Sequence, residues 1–287
     1  MTTPTDAGLS RTEEFVPTSG GFRLFVRRLR STGSEPRRQL LIVHGACGYG
    51  GRLEELGISA AADGWDVVLP DLRGHGRSEG TPVFVERFSD YLDDLDAVWK
   101  HFGLSSQKTA LLGQSAGALI AARFAATSAH PPRALALLSP FLKLRLPVNP
   151  LRLAAGRVLN VLAPRTRFRS GLRPEDLSQD PLAQERCRTD PLIHRSITAR
   201  WFFAMREARE RALAHPEQIR QPILVLQGGA DRVVDPDANE AWFRSLTVAD
   251  KTWRSFPGHL HELLHEPDRA EIKCMILAWL DERIAAV

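Results

Sequence analysis

Cysteine is scarce in this chain. Its 287 residues contain three, Cys47, Cys187 and Cys274, widely spaced and without a C-x-x-C pair. That pattern excludes a disulfide framework and a cysteine-built zinc site, and it predicts a reducing, cytoplasmic setting. Long apolar runs are missing too, since none approaches the ~20 residues that cross a bilayer. Met1 to Ser10 have neither a basic start nor an apolar core, so no signal peptide is expected. No recognised nucleic-acid-binding motif accompanies the net charge of +4, so nucleic acid is not an expected partner. What is present is 43% hydrophobic and 25% charged, enough to bury the core of one large α/β domain.

Apolar runs at Leu40–Val43, Asp66–Leu69, Thr109–Leu112, Ala134–Leu138, Pro222–Leu226 and Thr252–Phe256 alternate with helix-compatible stretches. Phe22 to Leu29 alternates in polarity and reads as an early antiparallel strand. This order predicts a largely parallel sheet covered by helices on both faces. Val85, Phe88, Leu92, Leu95, Val98, Trp99 and Phe102 share one helical face. A last helix is expected from Pro267 to about Ala285. Residues 1–14 are polar and are expected to be disordered.

The chemistry is concentrated in Gly113-Gln114-Ser115-Ala116-Gly117, which lies between an apolar strand and a helical run. Strand, G-x-S-x-G and helix form the context of a nucleophile elbow. The turn must be sharp to raise the Ser115 hydroxyl above the sheet edge. Gly113 and Gly117 avoid side-chain collisions there. The helix N-terminus that follows favours developing negative charge. A second loop, His44-Gly45-Ala46-Cys47-Gly48, follows the strand at Leu40–Val43. Backbone N–H groups of Ala46 and Ala116 would form the oxyanion hole. His44 is expected to brace that loop, and Cys47 to fill space beside it.

An acid is expected at Asp231, directly after the strand-end glycines Gly228 and Gly229. Asp235 and Asp237 are close enough to compete. A general base is expected among His259, His261 and His265, whose spacing is loop-like and unlike a helical H-E-x-x-H zinc site. No metal is therefore expected. Nucleophile, acid and histidine in that chain order match the α/β-hydrolase arrangement.

From about Phe22 to Leu280 the chain resembles the monoacylglycerol lipase and lysophospholipase branch of the α/β-hydrolases, a group that includes serine-aminopeptidase-like (S33) members. The resemblance rests on Asp71-Leu72-Arg73-Gly74-His75-Gly76-Arg77-Ser78-Glu79-Gly80, on Gly229-Ala230-Asp231-Arg232-Val233-Val234, and on Gly258-His259-Leu260-His261-Glu262-Leu263-Leu264-His265-Glu266-Pro267. It places the base at His261 and implies an eight-stranded, mostly parallel sheet with a helical cap after the sixth strand. The family elbow commonly reads G-H-S-M-G-G; here Gln114, Ala116 and Ala118 replace the histidine, the methionine and the last glycine.

The implied organisation is a core over residues 15–139 and 220–287 and a cap over 140–219. The cap segment is too long for a simple crossover. Its apolar residues include Leu144, Leu146, Val148, Leu151, Leu153, Val158, Leu159, Val161, Leu162, Trp201, Phe202, Phe203 and Met205. Most are expected to pack the cap onto the body and a minority to line an acyl channel. From Pro140 to His215, fifteen Arg and Lys stand against seven Asp and Glu. This surplus of eight would draw the cap to anionic lipid surfaces or phosphate head groups.

The implied reaction is hydrolysis of a single-chain lipid ester through an acyl-enzyme, without cofactor. Alternatives on the same fold are a peptidase or amidase, a short-chain carboxylesterase and a non-catalytic ligand-binding homologue. A dehalogenase or epoxide hydrolase would need an Asp in place of Ser115.

Overall fold

The computed structural model describes residues 3–5 (backbone only), 8–32, 38–145 and 149–284. In chain order it begins with β1 (Thr3–Thr5), β2 (Leu9–Pro17), β3 (Arg23–Ser31), β4 (Arg38–Val43), α1 (Glu54–Ala62) and β5 (Trp65–Pro70). There follow α2 (Ser89–His101), β6 (Thr109–Gln114), α3 (Ala116–Thr127) and β7 (Ala134–Leu138). An insertion then carries α4 (Pro150–Leu162), β8 (Arg167–Arg169), α5 (Pro174–Leu177), α6 (Pro181–Thr189), β9 (Ser196–Thr198) and α7 (Ala199–Ala214). The chain returns to the sheet through β10 (Ile223–Gly228), α8 (Pro236–Ser245), β11 (Lys251–Phe256) and α9 (Arg269–Arg283).

The main sheet has the order β1-β2-β3-β5-β4-β6-β7-β10-β11. Every pair from β5 to β11 is parallel, and β1, β2 and β3 run antiparallel at one edge. Strands covered on both faces must be apolar on both, so β5, β6, β7 and β10 are buried at every position. Alternate residues feed two cores. Leu41, Val43 and Leu111 join α2, α3 and α8 on one face. Leu40, Ile42 and Leu112 join α1 and α9 on the other. α3 is the most enclosed helix, buried from Ala116 to Ala125, which explains its run of small residues. Among the described residues no helix is long and apolar enough to cross a membrane.

Two boundaries differ from expectation. Against the expected disorder of residues 1–14, Thr3–Thr5 forms β1 and Leu9–Pro17 forms β2, which pairs with β3 over nine residues. Only Val16 of that strand is buried, so it is held by backbone pairing and by ion pairs such as Arg11 with Glu54 at 2.6 Å. Residues 1, 2, 6 and 7 lie outside the described set. The helix expected to include Val85 begins at Ser89, because Asp90 accepts hydrogen bonds from the N–H groups of Glu86 and Arg87 and holds that segment as a turn. Ala285, at the expected end of the last helix, lies outside the described residues.

The insertion is tied to the body by buried polar contacts. Thr198 Oγ1 donates to Val83 O at 2.7 Å, and Trp201 Nε1 donates to the Tyr91 hydroxyl at 3.0 Å. Trp201 and Met205 pack inward as expected. Leu151, Val158, Val161 and Leu162 do not: they are 57–81% exposed on the outer face of α4. Leu146 and Val148 lie outside the described residues.

Candidate active site

β6 ends at Gln114 and α3 starts at Ala116, so Ser115 alone makes the turn between strand and helix. It does so at φ 55° and ψ −117°, a left-handed conformation that costs about 1–3 kcal/mol in a non-glycine residue. The neighbours are glycines for a steric reason. A Cβ on Gly113 would lie 2.3 Å from Gly117 O. A Cβ on Gly117 would lie 2.3 Å from Val43 O and 2.4 Å from His44 O. Those carbonyls belong to buried backbone that has no room to retreat. Gly117→Ala should therefore lower stability by about 3 kcal/mol. At this chain length that is a fall in Tm of roughly 6–12 °C. Gly258→Ala, with nothing within 4 Å of the new methyl, should leave Tm unchanged in the same thermal unfolding series.

Three sequence-predicted residues meet in one relay. His261 Nε2 lies 2.8 Å from Ser115 Oγ, and His261 Nδ1 lies 2.8 Å from Asp231 Oδ2. A carboxylate only accepts, so Nδ1 carries the proton and Nε2 presents its lone pair to the hydroxyl. All three side chains are buried. Burial alone would favour a neutral imidazole, but the charge and hydrogen bond of Asp231 prevail and leave the His261 pKa raised. Burial likewise opposes ionisation of Asp231. The charge of His261 and hydrogen bonds from His261, Val234 and Val233 outweigh it, and the carboxyl is held below its usual range.

Three of the competing residues, Asp235, His259 and His265, have other partners. Asp235 caps α8 through the N–H groups of Asp237 and Ala238 and pairs with Lys143 at 2.8 Å. His259 pairs with Asp268 at 2.7 Å. His265 sits beside Glu262, its pKa lowered by burial. His44 donates from Nδ1 to Gly45 O at 2.8 Å and accepts at Nε2 from Leu72 N–H at 2.9 Å. Burial drives its pKa down to about 4, so it stays neutral and holds the loop that carries Ala46. Among the described residues, neither Ala46 nor Ala116 uses its backbone N–H in a hydrogen bond.

The relay opens into a cavity of about 760 Å³. Core residues Ala46, Gln114, Ser115 and His261 line it together with Leu144, Leu153, Phe168, Ile197, Trp201, Phe202 and Phe203 of the insertion. Cys47 and Cys187 line it as well. Burial pushes the Cys47 thiol up to about 12, so it is a packed neutral group. No metal-holding cluster of His, Cys, Asp and Glu occurs among the described residues.

Sequence reasoning missed the supports of the relay. Gln227 Nε2 donates to Asp231 Oδ2 at 3.0 Å, and Asn239 Nδ2 donates to Gln227 Oε1 at 2.8 Å. It also missed the ion pair between Arg52 and Glu262 in the cavity wall. The strand-end position of Gln227 beside the glycines was the one available signal.

Residues 34–268 match the family described as serine aminopeptidase, S33. Phospholipase YtpA of Bacillus subtilis is 30% identical, over 87% of this chain and 97% of its own length. Human monoglyceride lipase is 29% identical, over 92% of this chain and 90% of its own. The crystal structure of Paleococcus ferrophilus monoacylglycerol lipase superposes with a TM-score of 0.83 at 28% identity, covering 91% of this chain and 99% of that one. The order of nucleophile, acid and histidine, the parallel sheet and these likenesses agree: the chain belongs to the serine aminopeptidase, S33, family and has the α/β-hydrolase fold.

Proposed function

We propose that this protein is a serine hydrolase that cleaves carboxylic esters of single-chain lipids, monoacylglycerols or lysophospholipids, through an acyl-enzyme. The observation that carries this reading is the Ser115–His261–Asp231 relay, two contacts of 2.8 Å, opening into a largely apolar cavity. Ser115 Oγ attacks the ester carbonyl while His261 Nε2 takes its proton. The Ala46 and Ala116 N–H groups, without other partners among the described residues, receive the oxyanion. His261 then protonates the departing alcohol. In the second half it takes a proton from water, which attacks the acyl-enzyme and releases the fatty acid. Asp231 keeps the imidazole in the required tautomer and stabilises the imidazolium. No step requires a metal or an organic cofactor.

The named relatives support a lipid substrate, and the charge of the cavity weighs against a peptide amine. Glu262 is the one carboxylate lining the cavity among the described residues, and Arg52 already neutralises it. The experiment is fatty acid release from a chain-length series of monoacylglycerols and matched lysophospholipids, with Ser115→Ala as blank. Silence on every member would overturn the reading.

In this reading the segment 140–219 is a cap, and it also supports contact with anionic lipid surfaces. Residues 149–172 hold five arginines and no carboxylate. The outer face of α4 presents Leu151, Val158, Val161 and Leu162 among them. Apolar side chains ringed by cations fit an anionic membrane interface. Val158→Asp with Val161→Asp should lower co-sedimentation with phosphatidylglycerol vesicles by about 10-fold, because each burial site becomes a repelled charge. Unchanged co-sedimentation would refute the contact. The three free thiols fit a cytoplasmic setting.

A further inference from the structure

Gln114 is a polar group in the cavity that the hydrolytic steps leave unused. It lies between Gly113 and the nucleophilic serine, is 3% exposed and lines the cavity. Its Oε1 is buried without a hydrogen-bond partner, and among the described residues none engages its Nε2. Native structures leave few such groups unmade, and those they do leave call for an explanation. The neighbouring amide at the end of β10 shows the contrast. Gln227 donates to Gly228 O and Asp231 and accepts from Asn239.

A carboxamide offers one acceptor and two donors, which complements a hydroxyl that both donates and accepts. Three other polar groups in this wall, Arg52, Glu262 and Tyr49, already have partners. Arg52 pairs with Glu262, and the Tyr49 hydroxyl donates to Asp190 at 2.7 Å. Gln114 is thus a neutral reader with open valences, one residue from the attacking oxygen.

We propose that Gln114 is a specificity residue for the leaving alcohol, hydrogen-bonding a free hydroxyl of a glycerol-type head group beside the scissile ester. The inference rests on the ester-hydrolase reading above. It predicts discrimination between hydroxylated and plain alkyl esters of the same acid, because an alcohol without a hydroxyl leaves the buried carboxamide unpaired.

The test compares kcat/KM for 1-monolauroylglycerol and ethyl laurate. The wild-type protein should prefer the glycerol ester. In Gln114→Met, a change of similar volume, the ratio of the two values should fall by about 5–10-fold, the effect of one neutral hydrogen bond. If that variant does not accumulate folded, Gln114→Leu decides, since it too removes both the acceptor and the donor; its ratio should fall as well. An unchanged ratio overturns the proposal, whether the two rates hold or decline in parallel. So does a wild-type protein that does not discriminate. Wild-type inactivity on both esters, together with the monoacylglycerol and lysophospholipid series, would refute the hydrolase reading itself, which separates the two failures.

Discussion

Ser115→Ala should lower kcat for ester hydrolysis by about 10⁶-fold, the loss typical when the nucleophile of such a relay is removed. The residue that remains cannot form the acyl-enzyme, so hydrolysis falls back on water activated without covalent help. The fold should survive. Alanine is no worse than serine at φ 55°, and the change deletes one side-chain hydrogen bond, the 2.8 Å contact with His261. That contact is worth about 1 kcal/mol at most in stability. Thermal unfolding should therefore move by no more than roughly 2–4 °C. Labelling by a fluorophosphonate should disappear together with activity. Activity within tenfold of wild type would remove Ser115 from the mechanism.

The parts of this protein that were legible in sequence share a physical cause. Parallel strands buried on both faces are continuous apolar runs, so β4, β6, β7 and β10 stand out without any alignment. The elbow is legible because its turn tolerates no Cβ at Gly113 and Gly117, which leaves a fixed spacing of glycines. β2 lacks both signals. It lies second from the edge of the sheet with one buried residue, and strand pairing rather than its own composition holds it. The exposed stripe on α4 was legible as apolar, yet not as outward-facing. Composition marks the segment as apolar, and only the packing of the insertion says which side its apolar residues meet.

The site divides in the same way. Ser115, Asp231 and His261 each follow a recognisable local pattern. Their supports do not, because they are joined across the fold. Arg52 and Glu262 are 210 positions apart, and Asn239 reaches Pro140 O across 99. Gln114 was visible as a departure from the histidine common in the family. Its open acceptor is a property of the folded cavity, where Oε1 is buried without a hydrogen-bond partner.

Asp231→Asn should lower kcat/KM by about 10⁴-fold with the backbone intact. The carboxylate accepts four hydrogen bonds. Oδ1 takes the N–H groups of Val233 at 2.8 Å and Val234 at 2.9 Å. Oδ2 takes Gln227 Nε2 at 3.0 Å and His261 Nδ1 at 2.8 Å. In asparagine the two backbone donors retain the carbonyl oxygen, which turns the amide nitrogen towards His261. That nitrogen donates, so Nδ1 becomes the acceptor and the imidazole proton moves to Nε2. The ring then points a hydrogen at Ser115 Oγ and has no lone pair with which to take its proton. The pH profile supplies an independent check. Asp231 is what raises the His261 pKa against burial, and the base works only when neutral. Wild-type kcat/KM should therefore fall on its acid side through a pKa above the ordinary histidine value of about 6.5. With the carboxylate gone, burial prevails, and the acid limb of the residual activity should move to lower pH. An acid limb that stays in place in Asp231→Asn would mean that another group governs the titration and that Asp231 does not orient the base.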